Sequence, residues 1–172
     1  GDMIWENSYG GSLVDEASRV IEDSYGNYRI IGNTHSEDMD VIDSRGSSDV
    51  WQIIIDKSGR LIGSYNFGGS EFDRGTSITK GPLGSTFITG YSRSLDGDME
   101  RNKGENDIFL MYLPDDGVEL KTMILGGEGQ DFAYDVLVRR DGGVMLVGQT
   151  FSKNPPFDQN KGKSDILLAH YR

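Results

Sequence analysis

An all-β fold assembled from three repeats is what this sequence predicts, and three observations carry the prediction. The chain repeats itself at a constant spacing, its apolar residues fall in runs of strand length, and 24 of 172 residues are glycine while only 35% are hydrophobic. That balance favours many short strands joined by tight turns over a helical bundle. A helical solenoid is the competing architecture for a repeat chain. Dense β-branched and aromatic usage, with glycine every few residues, counts against it.

The repeat has one phase and no gaps. A Gly-Gly pair opens each unit at Gly10, Gly68 and Gly126, a constant spacing of 58 residues. At that offset the second glycine recurs as Gly11, Gly69 and Gly127, and an aspartate follows as Asp15, Asp73 and Asp131. Further on, Gly26, Gly84 and Gly142 agree, as do Gly32, Gly90 and Gly148, then Ser36, Ser94 and Ser152. Gly46, Gly104 and Gly162 and finally Asp49, Asp107 and Asp165 complete the set. One domain over residues 1–172 therefore divides into units 10–67, 68–125 and 126–172.

Each unit holds four apolar stretches. In the second copy they read GTSITK, STFITGY, DIFLMYL and VELKTMIL, separated by GPLG, SLDGDMERNKGEN and PDDG. The third stretch is almost continuously apolar in every copy (DVWQIIID, DIFLMYL, DILLAHY), as a strand covered on both faces should be. Four short antiparallel strands repeated at this period are the signature of propeller-type blades, here three of about 58 residues.

The opening segment MIWENSY aligns with the fourth stretch of the other units, while the last unit ends after its third. Residues 1–9 are therefore expected to form a strand that completes the C-terminal blade, leaving no open sheet edge. Three blades are few for a ring, since propellers run from about four to eight. Either the chain closes alone as a small three-fold array, or two chains exchange N-terminal strands in a six-bladed homodimer. The sequence favours the dimer.

Charge and composition exclude several functions. A net charge of −11 and a pI near 4.5 repel nucleic-acid phosphates and anionic lipid headgroups, so no nucleic-acid partner is expected. With no cysteine there can be no disulfide, thiolate metal site or cysteine nucleophile. No apolar run is long enough to span a bilayer, and the N-terminus lacks the pattern of a secretory signal. The chain is then either cytosolic or has had its signal removed; Gly1 before Asp2 suits a proteolytic scar.

Two stretches, SRSLDGDMERNKGENDIFLMYL followed by GGEGQD, and GSSDVWQIIIDKSGRLIGSYNFGGSEFD, resemble the tandem β-propeller repeats of Bacteroidetes secreted proteins and lipoproteins. Those repeats run Ser-x-Asp-Gly-Asp, Gly-x-x-Asp-x-Trp, Lys-Leu-Asp at the end of the third strand, then Trp and GGS-x-x-Asp. The resemblance extends over essentially the whole chain, and the second copy matches best in the acidic loop. The strand tryptophans survive here as Trp51 and Trp5, with Phe109, Leu167, Gly63 and Lys121 at the equivalent places. The third copy departs most, with SKNPPFDQNKGKSD in place of the acidic loop. The resemblance implies a propeller-like fold and an extracytoplasmic address in the periplasm or at the cell surface. It brings no active site, because the family has no agreed activity.

Among candidate sites, Asp38 and Asp40 in the first copy and Asp96 and Asp98 in the second could turn several hard oxygens toward one calcium ion. The third copy offers only Asn154 and Asp158 there, and the competing reading is a solvated acidic turn. Asp15, Asp73 and Asp131, with Asp49, Asp107 and Asp165, look like a ring of acid/base groups. Catalysis needs an inequivalent pair, however, and a group repeated in every unit reads as structural, bonding turn N–H groups. Arg45, Lys103 and Lys161 share one position and either pair with these carboxylates or sit in solvent. His35 and His170 have no metal-ligand spacing, and no nucleophile elbow is present, so no catalytic residue is assigned. Of the loop aromatics Tyr25, Tyr28, Tyr65, Tyr91, Tyr134, Phe151 and Phe157, the ligand-facing candidates are Tyr91, Phe151 and Phe157, against a reading in which the rings fill gaps between sheets. The function expected is a non-enzymatic binding or scaffold module of the bacterial cell envelope, holding a glycan or protein at one rim. A carbohydrate-active enzyme using central carboxylates and a calcium-stabilised structural repeat are the alternatives.

Overall fold

The computed structural model of the chain describes residues 1–115 and 119–172. It is all-β, with eleven strands and a single 3₁₀ turn at Pro82–Gly84 among the described residues. β1 (Asp15–Glu22), β2 (Tyr28–Thr34), β3 (Asp49–Ile55) and β4 (Leu61–Phe67) form the first antiparallel sheet in that order. β5 (Asp73–Lys80), β6 (Thr86–Ser92), β7 (Asp107–Leu113) and β8 (Lys121–Leu125) form the second. The third has three strands, β9 (Asp131–Val138), β10 (Val144–Thr150) and β11 (Asp165–Tyr171). Strand positions follow the repeat: Asp15, Asp73 and Asp131 open the first strand of each sheet, and Asp49, Asp107 and Asp165 the third.

One glycine set explains itself by close approach. The first two sheets carry a register shift in their first strand, between Ala17 and Arg19 and between Gly75 and Ser77, and in the third sheet β10 shifts against β9 between Val147 and Gly148. Each irregularity presses a carbonyl against the second strand. A Cβ at Gly32, Gly90 or Gly148 would stand 1.8, 1.8 or 2.0 Å from the carbonyl oxygen of Glu16, Arg74 or Phe132. Only glycine fits beneath such a bulge.

The sheets pack face to face in sequence. Ile31 and Val50 of the first sheet meet Ile78, Ile88, Phe109 and Met111 of the second. Ile108 and Leu110, on the opposite face of β7, meet Val136, Val144 and Leu146 of the third. β3 and β7 are thus buried on both sides, as their continuous apolar pattern predicts. Each junction is also stitched by an isolated parallel bridge, Ser48 with Phe72 and Asn106 with Gln130.

One expectation is corrected, and the single-chain alternative for closure is not observed. Residues 1–9 form no strand and do not complete the third sheet, whose partner order ends at β11. Instead the segment lies on the first sheet: Trp5 Nε1 donates to Lys57 O at 3.2 Å, Asn7 Nδ2 to Gly59 O at 3.1 Å, and the Tyr9 hydroxyl also to Gly59 O. β4 and β8 reach their sheets through short connections from the preceding strand, and residues 1–9 have no such hairpin to deliver them. Nor does the chain close on itself. The first and third sheets are linked by an exposed ion pair, Arg19 to Asp135 at 3.5 Å, while the apolar face of β11 stays open, with Ile166 87% exposed. β11, unlike β3 and β7, is covered on one face only.

Candidate functional site

The rim where first strands begin and second strands end is built from the repeated residues. In the second unit, Gly69 N donates to Asp73 Oδ2 at 2.8 Å, Ser70 N to Asp96 Oδ1 at 2.7 Å and Gly68 N to Asp98 Oδ2 at 3.1 Å. Glu71 N donates to Ser94 Oγ at 3.0 Å, and Ser94 Oγ in turn to Asp73 Oδ2 at 2.8 Å. The first unit repeats the clamp: Gly11 N to Asp15 at 2.8 Å, Ser12 N to Asp38 at 2.8 Å, Gly10 N to Asp40 at 3.1 Å and Leu13 N to Ser36 Oγ at 2.9 Å. In the third, Gly127 N donates to Asp131, Glu128 N to Asn154 and Gly129 N to Ser152 Oγ, each at 2.9 Å.

Asp38, Asp40, Asp96 and Asp98 therefore spend oxygens on backbone N–H groups, which explains why Asn154 serves equally well in the third unit. Among the described residues, no group of three or more His, Asp or Glu side chains comes together as a metal centre. Each loop is also anchored by a buried apolar residue at one repeat position: Val41, Met99 and Phe157. Phe157, 8% exposed, belongs to the core between the second and third sheets and not to the ligand-facing set.

The third-strand aspartates receive the loop that precedes them. Arg45 N, Lys103 N and Lys161 N donate to Asp49, Asp107 and Asp165, each at 2.6 Å. At each junction such an aspartate approaches the first-strand aspartate of the next unit. A Cβ on Gly68 would lie 2.4 Å from Asp49 Oδ1 and 2.6 Å from Asp73 Oδ2, so the two carboxylates bracket that glycine. Burial pushes Asp73 up from the ordinary carboxylate range. Burial also raises Asp107 to about 6, with the charge of Asp131 adding to the effect. Asp49, Asp107 and Asp131 each keep one buried oxygen without a hydrogen-bond partner. Asp107 and Asp131 have no exposed surface, so no substrate reaches that pair.

What the clamps do present is a row of rings. Each ring is the chain neighbour of a buried clamp residue, so strand alternation turns it outward: His35 before Ser36, Phe72 before Asp73, Tyr91 before Ser92, Phe132 after Asp131 and Phe151 before Ser152. The rings form one ladder across all three units. Centroids of His35 and Phe72 are 6.5 Å apart, Phe72 and Tyr91 stack at 6.2 Å, Tyr91 meets Phe132 edge-on at 4.8 Å, and Phe132 meets Phe151 edge-on at 6.2 Å. These are favourable aromatic separations. Phe151 is 39% exposed and the other four are half-buried.

Polar groups flank the ladder. Arg74 pairs with Glu16 at 3.0 Å, the Tyr134 hydroxyl donates to Gln149 Oε1 at 3.0 Å, and Gln130 Nε2 donates to Glu105. Exposed Arg93 occupies the repeat position of His35 and Phe151. The structure places Tyr91 and Phe151 in one row, linked through Phe132, and adds His35 and Phe72 to it. His35, Phe72 and Phe132 fall at differing places within the repeat. Their adjacency to the repeated Asp and Ser residues is the signal that marks them.

Comparison with known proteins leaves the family open: no family model and no curated protein matches the chain. Among solved structures it is similar to a mutant of the Synechocystis apocarotenoid oxygenase, with TM-score 0.47 and 14% identity, over 91% of this chain and 36% of that one. The chain thus spans about a third of that protein's length.

Proposed function

We propose that the chain is a non-enzymatic binding module of propeller type that takes a saccharide on the aromatic ladder of one rim, in the bacterial cell envelope. The carrying observation is the continuous row from His35 to Phe151, held in place by hydrogen-bonded loops. Ring faces stack on the C–H faces of sugars, and the neighbouring arginine, glutamine and tyrosine groups offer donors and acceptors for hydroxyls. The ladder is a row of rings running across three units, which suits an extended chain over a single small molecule. The envelope address rests on the repeat resemblance alone.

A non-catalytic role is supported by the state of the carboxylates. The repeated aspartates are buried or spent on backbone N–H groups, whereas glycoside hydrolysis needs two accessible carboxylates about 5–10 Å apart. The calcium reading has less support for the same reason, since the acidic loops already satisfy their oxygens internally.

A glycan-array screen followed by calorimetry on the best binder tests the proposal. Tyr91→Ala and Phe151→Ala are each expected to weaken binding roughly tenfold or more, on the order of 1–2 kcal/mol per lost stacking ring. No glycan bound at millimolar concentration, binding indifferent to both substitutions, or turnover of the bound saccharide would each defeat it.

A further inference from the structure

Both internal junctions join the same two kinds of face. The trailing face of one sheet, carrying Val50 or Ile108 from its third strand, packs on the leading face of the next, carrying Ile78 or Val136 from its first. At the ends of the array no neighbouring sheet packs on the equivalent faces. On the third sheet the trailing positions are Ile166 and Leu168, 87% and 64% exposed, where Ile108 is fully buried. On the first sheet the leading position Val20 is 57% exposed, beside a groove of about 280 Å³ whose lining includes the half-buried Ile30 and the buried Trp51 and Ile53. Exposed apolar faces of this kind mark interaction surfaces.

The polar parts of the junction are left half-made in the same way. Between the first two units Arg45 pairs with Asp98 at 3.1 Å. The corresponding end groups are Lys161 on the third unit and Asp40 on the first. Asp73 N donates to Ser48 O at 2.8 Å, and Asp131 N to Asn106 O at 2.7 Å. Their counterparts at the ends are Asp15 and Ser164. The two ends therefore complement each other in apolar shape, in charge and in backbone hydrogen bonding, and neither complements itself.

We propose that a second copy of this chain covers both ends, two three-sheet arcs joining head to tail through two identical junctions into a six-sheet ring. The internal junctions show what these faces accept. Contact between unlike ends is heterologous, and two arcs related by a two-fold axis use it twice and close. No exchange of the N-terminal segment is needed. Tyr9 remains on its own first sheet and lines the groove. This inference stands apart from the saccharide reading, because the ladder lies on the rim and not on the end faces.

Size-exclusion chromatography with light scattering, over 5–100 µM protein, tests it. The expected mass is about twice 19.0 kDa. Ile166→Asp and Val20→Arg are each expected to give monomer, and Lys161→Glu, a milder change at an exposed side chain, to weaken the dimer roughly tenfold. An equimolar mixture of Ile166→Asp and Val20→Arg chains is expected to recover dimer, since one of the two junctions then has both faces native. Circular dichroism confirms that each variant is folded. A monomer at 100 µM, a dimer untouched by Val20→Arg, or masses above two copies would overturn the ring.

Discussion

Asp107 makes stability fall as pH rises from the acid range through about 6, and the size of the effect can be worked out. Its folded carboxyl titrates at about 6, against roughly 3.9 in an unfolded chain. A raised acid binds its proton more readily when folded, so between those values the native state holds more protons and stability declines with increasing pH. From pH 5.0 to 7.5 this one group costs about 1.4 kcal/mol by the linkage relation. For a chain of this length that corresponds to about 3–6 °C in Tm. Carboxylates held low, such as Asp56 at about 2, have completed their contribution below pH 5 and drop out of the window. Asp107→Asn removes the charge while its amide oxygen can still accept from Lys103 N, and the new NH2 can occupy the place of the unpartnered oxygen. Thermal melts of wild type and variant at both pH values report the difference, in which titrating groups not coupled to Asp107 cancel. The variant should lose about 3–6 °C of the wild-type drop and match or exceed wild type at pH 7.5. A variant that keeps the full drop, or is equally destabilised at both pH values, would refute the reasoning.

Three further outcomes follow from the packing. Gly90→Ala drives a methyl into the Arg74 carbonyl and should cost more than about 3 kcal/mol in urea denaturation, whereas Gly162→Ala, which meets nothing, should cost under about 1. Phe157→Ala opens a core cavity and is expected to lose about 3–5 kcal/mol, while Phe151→Ala, on the rim, should lose under about 1 and affect only saccharide binding. Asp98→Ala removes the acceptor of both Gly68 N and Arg45, costing about 1–3 kcal/mol, and added calcium or chelator should leave wild-type Tm within about 1 °C.

Much of the architecture was legible because the chain can be compared with itself. Aspartates at Asp73 and Asp107 begin strands since a carboxylate there collects the N–H groups of an approaching turn, and this need recurs wherever the turn does. The fate of residues 1–9 was not legible. Their apolar pattern matches a fourth strand, but pattern says nothing of how a segment is delivered, and without a hairpin the loop-closure entropy is not offset. The ladder was half legible: Tyr91 and Phe151 stand out as loop aromatics, whereas Phe72 and Phe132 become partners only once sheets stack and bring different repeat positions side by side. Phe157 read as a loop ring although it shares a repeat position with Val41 and Met99, because three residues so unlike in shape do not look like plugs for one hole.

The junction bonds run between positions 25 residues apart, from Asp73 N to Ser48 O and from Asp131 N to Asn106 O, and they recur at both seams. A duplicated unit inserted at Gly68 would find both neighbours already cut to fit it. Such a molecule grows by copying, and the tilt fixed at a single seam sets how many copies complete the circle.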